Sequence, residues 1–274
     1  MLALKVLMAL AALAGPVADG GTDTLTLVTN GKSQVFKLAY LKQRLKTVQV
    51  TIEDSLYGGK KKTYDGFALG DVLGLAGGIP EGADEVLFTA KDGYTPVLAV
   101  AKARTHRAVV AFEEHGRAKG QSRFEKQKAG KQWVDPAPFY VVWEEGSKLG
   151  EEYPRPYQLV RIEVATFAQK YPKTFPHDAK AGSDALKGFA LFKNQCLRCH
   201  SVNLEGGAIG PELNVPKNIT EYWSKGTLRK FIRDVGQFRA ASKMPSFAKD
   251  LSEDDVERIL DYLEFMKDRK QAPQ

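Results

Sequence analysis

The hydrophobic period of this chain changes once, about two-thirds of the way along, and that change limits the folds open to it. Residues 22–168 read as strands and turns. Thr24–Thr29 alternates, Asn30-Gly31 offers a tight hairpin turn, and apolar residues return at 35–38. Val48, Val50 and Ile52 alternate with polar residues on a further strand. Gly58-Gly59 followed by Lys60, Lys61 and Lys62 reads as an exposed hairpin tip. Asp92-Gly93 separates apolar runs at 86–90 and 95–100, and more strand-length runs lie at 108–112, 139–143 and 159–164. One helix is expected near 68–75. Many short strands with few helices predict a mainly β, α+β domain over residues 21–168.

Residues 169–184 (QKYPKTFPHDAKAGSD) carry two prolines among small and polar residues and read as a linker. From 185 to 274 the pattern is helical. Leu186, Phe189, Ala190 and Lys193 share one helical face, and Phe192, Cys196 and Cys199 share another. Leu228, Phe231, Ile232 and Val235 follow the i, i+3, i+4, i+7 pattern. Ser252 and Asp255 form a capping-box start to a helix whose stripe is Val256, Ile259, Leu260 and Leu263. The expected architecture is therefore two domains, α+β and then all-α.

Residues 1–20 are laid out as a secretory signal peptide. Lys5 precedes an apolar run over 6–14, and Ala12-Leu13-Ala14 fits a small-residue cleavage site, with Ala18 as a second option. A retained N-terminal anchor is the other reading. The run is short for a membrane span, which favours cleavage, so the expected product is an exported, periplasmic protein with no membrane span after signal removal. Lys+Arg 40 against Asp+Glu 33 gives +7, a mild excess that favours an acidic partner without implying nucleic acid. Two cysteines exclude a disulfide scaffold and any zinc or iron–sulfur site needing four thiolates from the chain.

Those two cysteines stand in Cys196-Leu197-Arg198-Cys199-His200. The C-x-x-C-H spacing is a c-type haem attachment sequence. Two thiols three positions apart can add to the two vinyl groups on one porphyrin edge, and the next residue places an imidazole under the iron. Shuffling a chain with this Cys and His content yields the pattern in only about one sequence in ten thousand. The same cysteine spacing would serve a thioredoxin-like pair in a βαβ setting, but the local pattern is helical.

For the sixth iron ligand, Met1 and Met8 lie in the signal, and Met266 extends the stripe of the last helix. Met244, in Lys243-Met244-Pro245, falls in a loop between two predicted helices and is the expected thioether ligand. His177 in the linker is the alternative. His106 and His115 lie in the β region.

Residues 183–268 resemble a class I cytochrome c. The resemblance rests on Gly188 and Phe192 ahead of the pentapeptide, Gly210-Pro211-Glu212-Leu213 after it, Met244-Pro245, and Tyr262 on the closing helix. It implies one covalently bound haem c held by Cys196 and Cys199, with His200 and Met244 on the iron. It also implies that the Pro211 carbonyl orients His200, and that Gly188 lets the first and last helices cross closely. Tyr222 and Trp223 resemble residues that meet a haem propionate, with plain core aromatics as the other reading.

The N-terminal region is similar in part to the molybdopterin-binding domain of the sulfite-oxidase family. The similarity lies in Tyr64-Asp65-Gly66-Phe67 with Leu69, Val72 and Leu73, in Phe88-Thr89-Ala90-Lys91-Asp92-Gly93-Tyr94, and in LVRIEV at 159–164. That family ligates molybdenum through a cysteine thiolate, and both cysteines here belong to the haem motif. The resemblance therefore implies a cofactor-free relative, with no molybdenum cofactor, used as a docking module. Arg104, His106, Arg107, His115 and Arg117 could bind an anion or form a solvated basic surface. Trp133, Tyr140 and Trp143 could form an interaction face or pack a core.

The expected function is one-electron transfer by an exported monohaem cytochrome, with redox proteins as partners. Lys193, Lys217, Lys225, Lys243 and Lys249 could meet an acidic docking surface. The alternative is an electron-transfer subunit of an oxidoreductase whose N-terminal domain binds a substrate or anion.

Overall fold

The computed structural model describes residues 23–129, 132–150 and 152–271. The segment read as a signal peptide, residues 1–20, lies outside them. Strand β1 (Thr24–Thr29) turns back at Asn30-Gly31 into β2 (Lys32–Lys37), which leads into α1 (Leu38–Arg44). Next come β3 (Val48–Asp54), β4 (Lys60–Ala68), α2 (Leu69–Gly74), β5 (Glu85–Ala90), β6 (Val97–Ala99), α3 (Val100–Ala103) and β7 (Ala108–Glu114). The region ends with β8 (Gln127–Ala129), β9 (Gln132–Val134), β10 (Tyr140–Trp143), β11 (Leu159–Ala165) and α4 (Phe167–Lys170).

Two sheets result. One has the order β2-β1-β11-β5-β6, with β1 and β11 parallel and the other pairs antiparallel; the second runs β10-β7-β4-β3. Leu25, Leu27, Phe88 and Ile162 of the first sheet pack against Phe67, Val110, Phe112, Val141 and Trp143 of the second. Val109, Ala111 and Val142 point the other way, into a smaller cluster with Tyr64, Phe124 and Tyr140. Because β7 is covered on both faces, it reads as a continuous apolar run. Inside that smaller cluster the buried Asp54 accepts from Tyr64 Oη at 2.6 Å and from Tyr140 Oη at 3.0 Å, which satisfies a carboxylate removed from water.

The C-terminal region is helical: α5 (Asp184–Gln195), a small ladder of β12 (Ser201–Val202) with β13 (Glu205–Gly206), then α6 (Lys225–Arg233) and α7 (Glu253–Lys267). Ser183 caps α5 by accepting from the Leu186 amide, and Ser252 with Asp255 closes a capping box on α7. The α5 and α7 helices cross at Gly188, where a Cβ would lie 1.7 Å from the Arg258 carbonyl oxygen. Only glycine lets the two backbones meet there.

Residues 169–184 are not the loose linker their composition suggests. Tyr171 and Thr174 are buried, Tyr262 Oη donates to the Thr174 carbonyl at 2.7 Å, and Glu205 accepts from the amides of Lys173 (2.8 Å) and Thr174 (3.1 Å). The aromatic side chains of this strap find core positions, which outweighs its prolines. Leu87 and Val97 of the first sheet join the same apolar cluster as Phe167, Phe189 and Leu260, so the two regions share a core.

Candidate metal centre

Helix α5 delivers the pentapeptide. The helical turn continues past its end: the Cys196 and Leu197 amides both donate to the Phe192 carbonyl, at 2.8 and 2.9 Å, and the His200 amide donates to the Cys196 carbonyl at 2.9 Å. Leu197 is buried as an anchor, while Cys196 and Cys199 are half-buried free thiols. Burial pushes the Cys196 thiol up to about 12 and raises Cys199 as well, so both are neutral at neutral pH.

His200 Nδ1 lies 2.9 Å from the Pro211 carbonyl oxygen, so the ring donates there and leaves Nε2 unprotonated. Burial holds this imidazole below the ordinary histidine value, with the Pro211 hydrogen bond opposing. Gly210 is the residue that lets the loop lie against the ring. A Cβ there would sit 2.5 Å from His200 Cε1. Gly207 plays the same part beside the Arg198 carbonyl, where a Cβ would come within 2.4 Å.

Met244 lies in the loop ahead of α7, half-buried, with its amide donating to Ser242 Oγ at 3.1 Å. It joins Leu213, Ile219, Trp223 and Phe247, all half-buried, at the margin of the helical core. Met266 is buried within that core. His177 is exposed and engages the Pro172 carbonyl through Nε2 at 2.8 Å, inside its own strap. Trp223 packs edge-on against Phe231, with ring centroids 5.0 Å apart. Tyr222 is 51 % exposed, which removes it from the core reading.

The residues fit a haem on the chemistry of the donor set. Two free thiols at the vinyl spacing, a neutral imidazole oriented by a carbonyl, a thioether, and a margin of incompletely covered apolar side chains are what an iron porphyrin needs.

The basic residues of the β domain do not form one site. Arg104, His106 and Arg107 precede β7, and His115 and Arg117 follow it, so a seven-residue strand of roughly 23 Å separates the two groups. His106 pairs with Glu145 (2.7 Å), Arg107 with Glu144 (2.6 Å) and His115 with Asp65 (2.8 Å). Lys62 departs from the expected exposed tip: it turns inward to Glu114 (2.6 Å) and Glu125 (2.5 Å), while Lys60 and Lys61 stay exposed. Trp143 and Tyr140 are core, whereas Trp133 is exposed.

Two features of the site carried no local signal in the sequence. The loop between β5 and β6 reaches the pentapeptide: the Thr95 amide donates to the Arg198 carbonyl at 2.9 Å, and Tyr94 Oη meets Arg198 Nη1 at 3.3 Å. Lys193 pairs with the buried Glu85 of β5, so one lysine expected to face a partner faces its own N-terminal domain. Lys225 pairs with Asp261 at 2.8 Å.

Among the described residues no helix is long and apolar enough to cross a membrane. No curated protein matches the chain. The solved structure of the sulfane dehydrogenase SoxCD from Paracoccus pantotrophus is similar over 52 % of this chain and 38 % of that chain, at 13 % identity and a TM-score of 0.33. The chain thus spans under half the length of that structure, and a likeness at this score decides neither fold nor function. Residues 183–263 match the family described as cytochrome C oxidase, cbb3-type, subunit III. The C-terminal third, with its pentapeptide and its oriented histidine, is a cytochrome c domain, which implies haem c and electron transfer.

Proposed function

We propose that this protein is an exported, periplasmic monohaem cytochrome that carries single electrons between redox proteins, with its N-terminal domain as a docking module. The carrying observation is the pentapeptide itself, whose His200 is held against the Pro211 carbonyl at the edge of an apolar margin. Cys196 and Cys199 would hold the porphyrin through thioether bonds, and His200 and Met244 would be the residues that hold the iron. When bound, the haem supplies a reversible one-electron couple. The chain's own contribution is orientation and exclusion. Pro211 fixes the His200 ring; Met244 would compete with small ligands for the iron, and Leu213, Ile219 and Phe247 beside it would limit the access of water. Tyr222 and Trp223 would be the residues to meet a propionate. Exposed Lys217, Lys243 and Lys249 support an acidic partner surface. We read the N-terminal domain as a sulfite-oxidase-like module without molybdenum, because the chain has no third cysteine.

A second reading is an electron-transfer subunit of an oxidoreductase. It is favoured by a cleft of about 350 Å³ between the first sheet and β13, lined by Thr95, Arg161, Lys170 and Glu205 and by Glu163, which pairs with both basic residues.

The test is the purified, matured chain. Acidified organic solvent should leave the red colour on the polypeptide, the mass should exceed the bare processed chain by one haem, and iron should be equimolar without molybdenum. Extractable haem, or a bare mass, would falsify the assignment. Turnover with a small oxyanion and an artificial acceptor would favour the second reading over the carrier.

A further inference from the structure

Pro211 orients His200 but cannot anchor itself, because proline has no amide hydrogen. Its neighbour supplies the anchor. Glu212 Oε1 accepts from the amides of Asn203 (2.9 Å), Asn214 (2.8 Å) and Val215 (3.1 Å), and Oε2 accepts from the amide of Leu204 (2.8 Å). One carboxylate therefore gathers four backbone donors from both sides of the loop. Asn203 and Leu204 both adopt positive φ, at 55° and 66°, in the turn between β12 and β13. Glu212 also bridges to Ser201, and the Leu213 amide donates to the Ser201 carbonyl at 2.9 Å. Behind the loop, Asn214 Nδ2 donates to Asn203 Oδ1 and Asn218 Nδ2 to Asn214 Oδ1, each at 2.7 Å, with all three asparagines buried. The backbone on each side of Pro211 is thus held, and its carbonyl is aimed at Nδ1 of His200.

We propose that Glu212 is a positioning residue for the iron ligand, its carboxylate stapling the 203–215 loop so that the Pro211 carbonyl keeps the His200 ring oriented. This rests on reading His200 as the proximal ligand. A strong acceptor at Nδ1 makes the imidazole a better donor to iron and favours the ferric state. Loosening the staple weakens that donation, so the midpoint potential rises. A residue that only holds the fold would lower the melting temperature and leave the potential alone.

The experiment compares the full-length, haem-loaded chain with Glu212→Gln and with Ile259→Val, a core change in α7 that removes none of the four hydrogen bonds of Glu212. Midpoint potential is read by spectroelectrochemical titration and stability by thermal melting. The staple predicts that Glu212→Gln shifts the reduced-to-oxidised ratio at fixed ambient potential by at least threefold toward reduced, about 28 mV at 59 mV per tenfold. Ile259→Val should melt earlier with an unchanged potential. If Glu212→Gln does not retain haem, Glu212→Asp is read in its place, since it keeps the charge but reaches fewer of the four amides. Equal potentials in haem-loaded chains overturn the staple alone. A wild-type chain without covalent haem overturns the parent reading, and the staple with it.

Discussion

The Thr95 amide donates to the carbonyl of Arg198, so a loop of the β domain is bonded to the interior of the pentapeptide at 2.9 Å. Around this bond, the Ala208 amide donates to the Gly93 carbonyl at 3.4 Å, Tyr94 meets Arg198, and Glu85 holds Lys193. The cytochrome domain is therefore not tethered loosely to its neighbour. Its attachment turn is part of the interface.

Thr95→Pro removes the donor and leaves the Arg198 carbonyl without it. A lost backbone hydrogen bond of about 1 kcal/mol should speed local opening by about fivefold. Hydrogen exchange should accelerate over residues 196–208 while α7 is unchanged. Uniform exchange in the two proteins would show that the interface does not hold the turn.

Met244→Ala should remove the sulfur-to-ferric-iron charge-transfer band in the red, lower the midpoint potential, and admit imidazole or carbon monoxide to the iron. Visible spectra of the ferric and ferrous forms decide it. Persistence of the red band would move the ligand away from Met244, and Met266 is too deeply buried in the helical core to take its place without repacking.

Gly188→Ala places a methyl carbon where the Arg258 carbonyl oxygen already sits, 1.7 Å away. A backbone atom cannot rotate aside as a side chain can, so α5 and α7 must separate. The cost should reach or exceed the ~1–3 kcal/mol usual for overpacking. Denaturant unfolding of the full chain measures it, and a loss under about 0.5 kcal/mol would mean the helices part more easily than the crossing implies.

Glu85 carries a pH dependence. Burial raises its carboxyl above the ordinary value of 4.5, Lys193 pulls in the opposite direction, and Oε2 is buried without a hydrogen bond among the described residues. The folded state therefore binds a proton more tightly than the unfolded chain. Stability from this group is greatest below the ordinary glutamate value and falls as pH rises through the elevated folded value. Thermal melts over this window should show that decline in the wild type and a flatter profile in Glu85→Gln. Parallel profiles would assign the slope to another carboxyl, such as the similarly raised Glu205.

Many of the elements and the haem-attachment motif are legible in local residue patterns. Alternation at Thr24–Thr29, the capping box at Ser252, and C-x-x-C-H at 196–200 are local signals, because pleat, helix start and vinyl spacing each depend on residues a few positions apart. Only the tertiary structure decided what depends on distant partners. It turned the proline-containing strap at 169–184 into core through Tyr171 and Thr174, split the basic residues across β7, and drew Lys62 inward to Glu114. It also set Lys193 on Glu85 and Thr95 on Arg198. Each of these outcomes joins residues tens to over a hundred positions apart, or buries an aromatic that composition counts as linker. A sequence records what a side chain can bond to, and the fold chooses which candidate comes within reach.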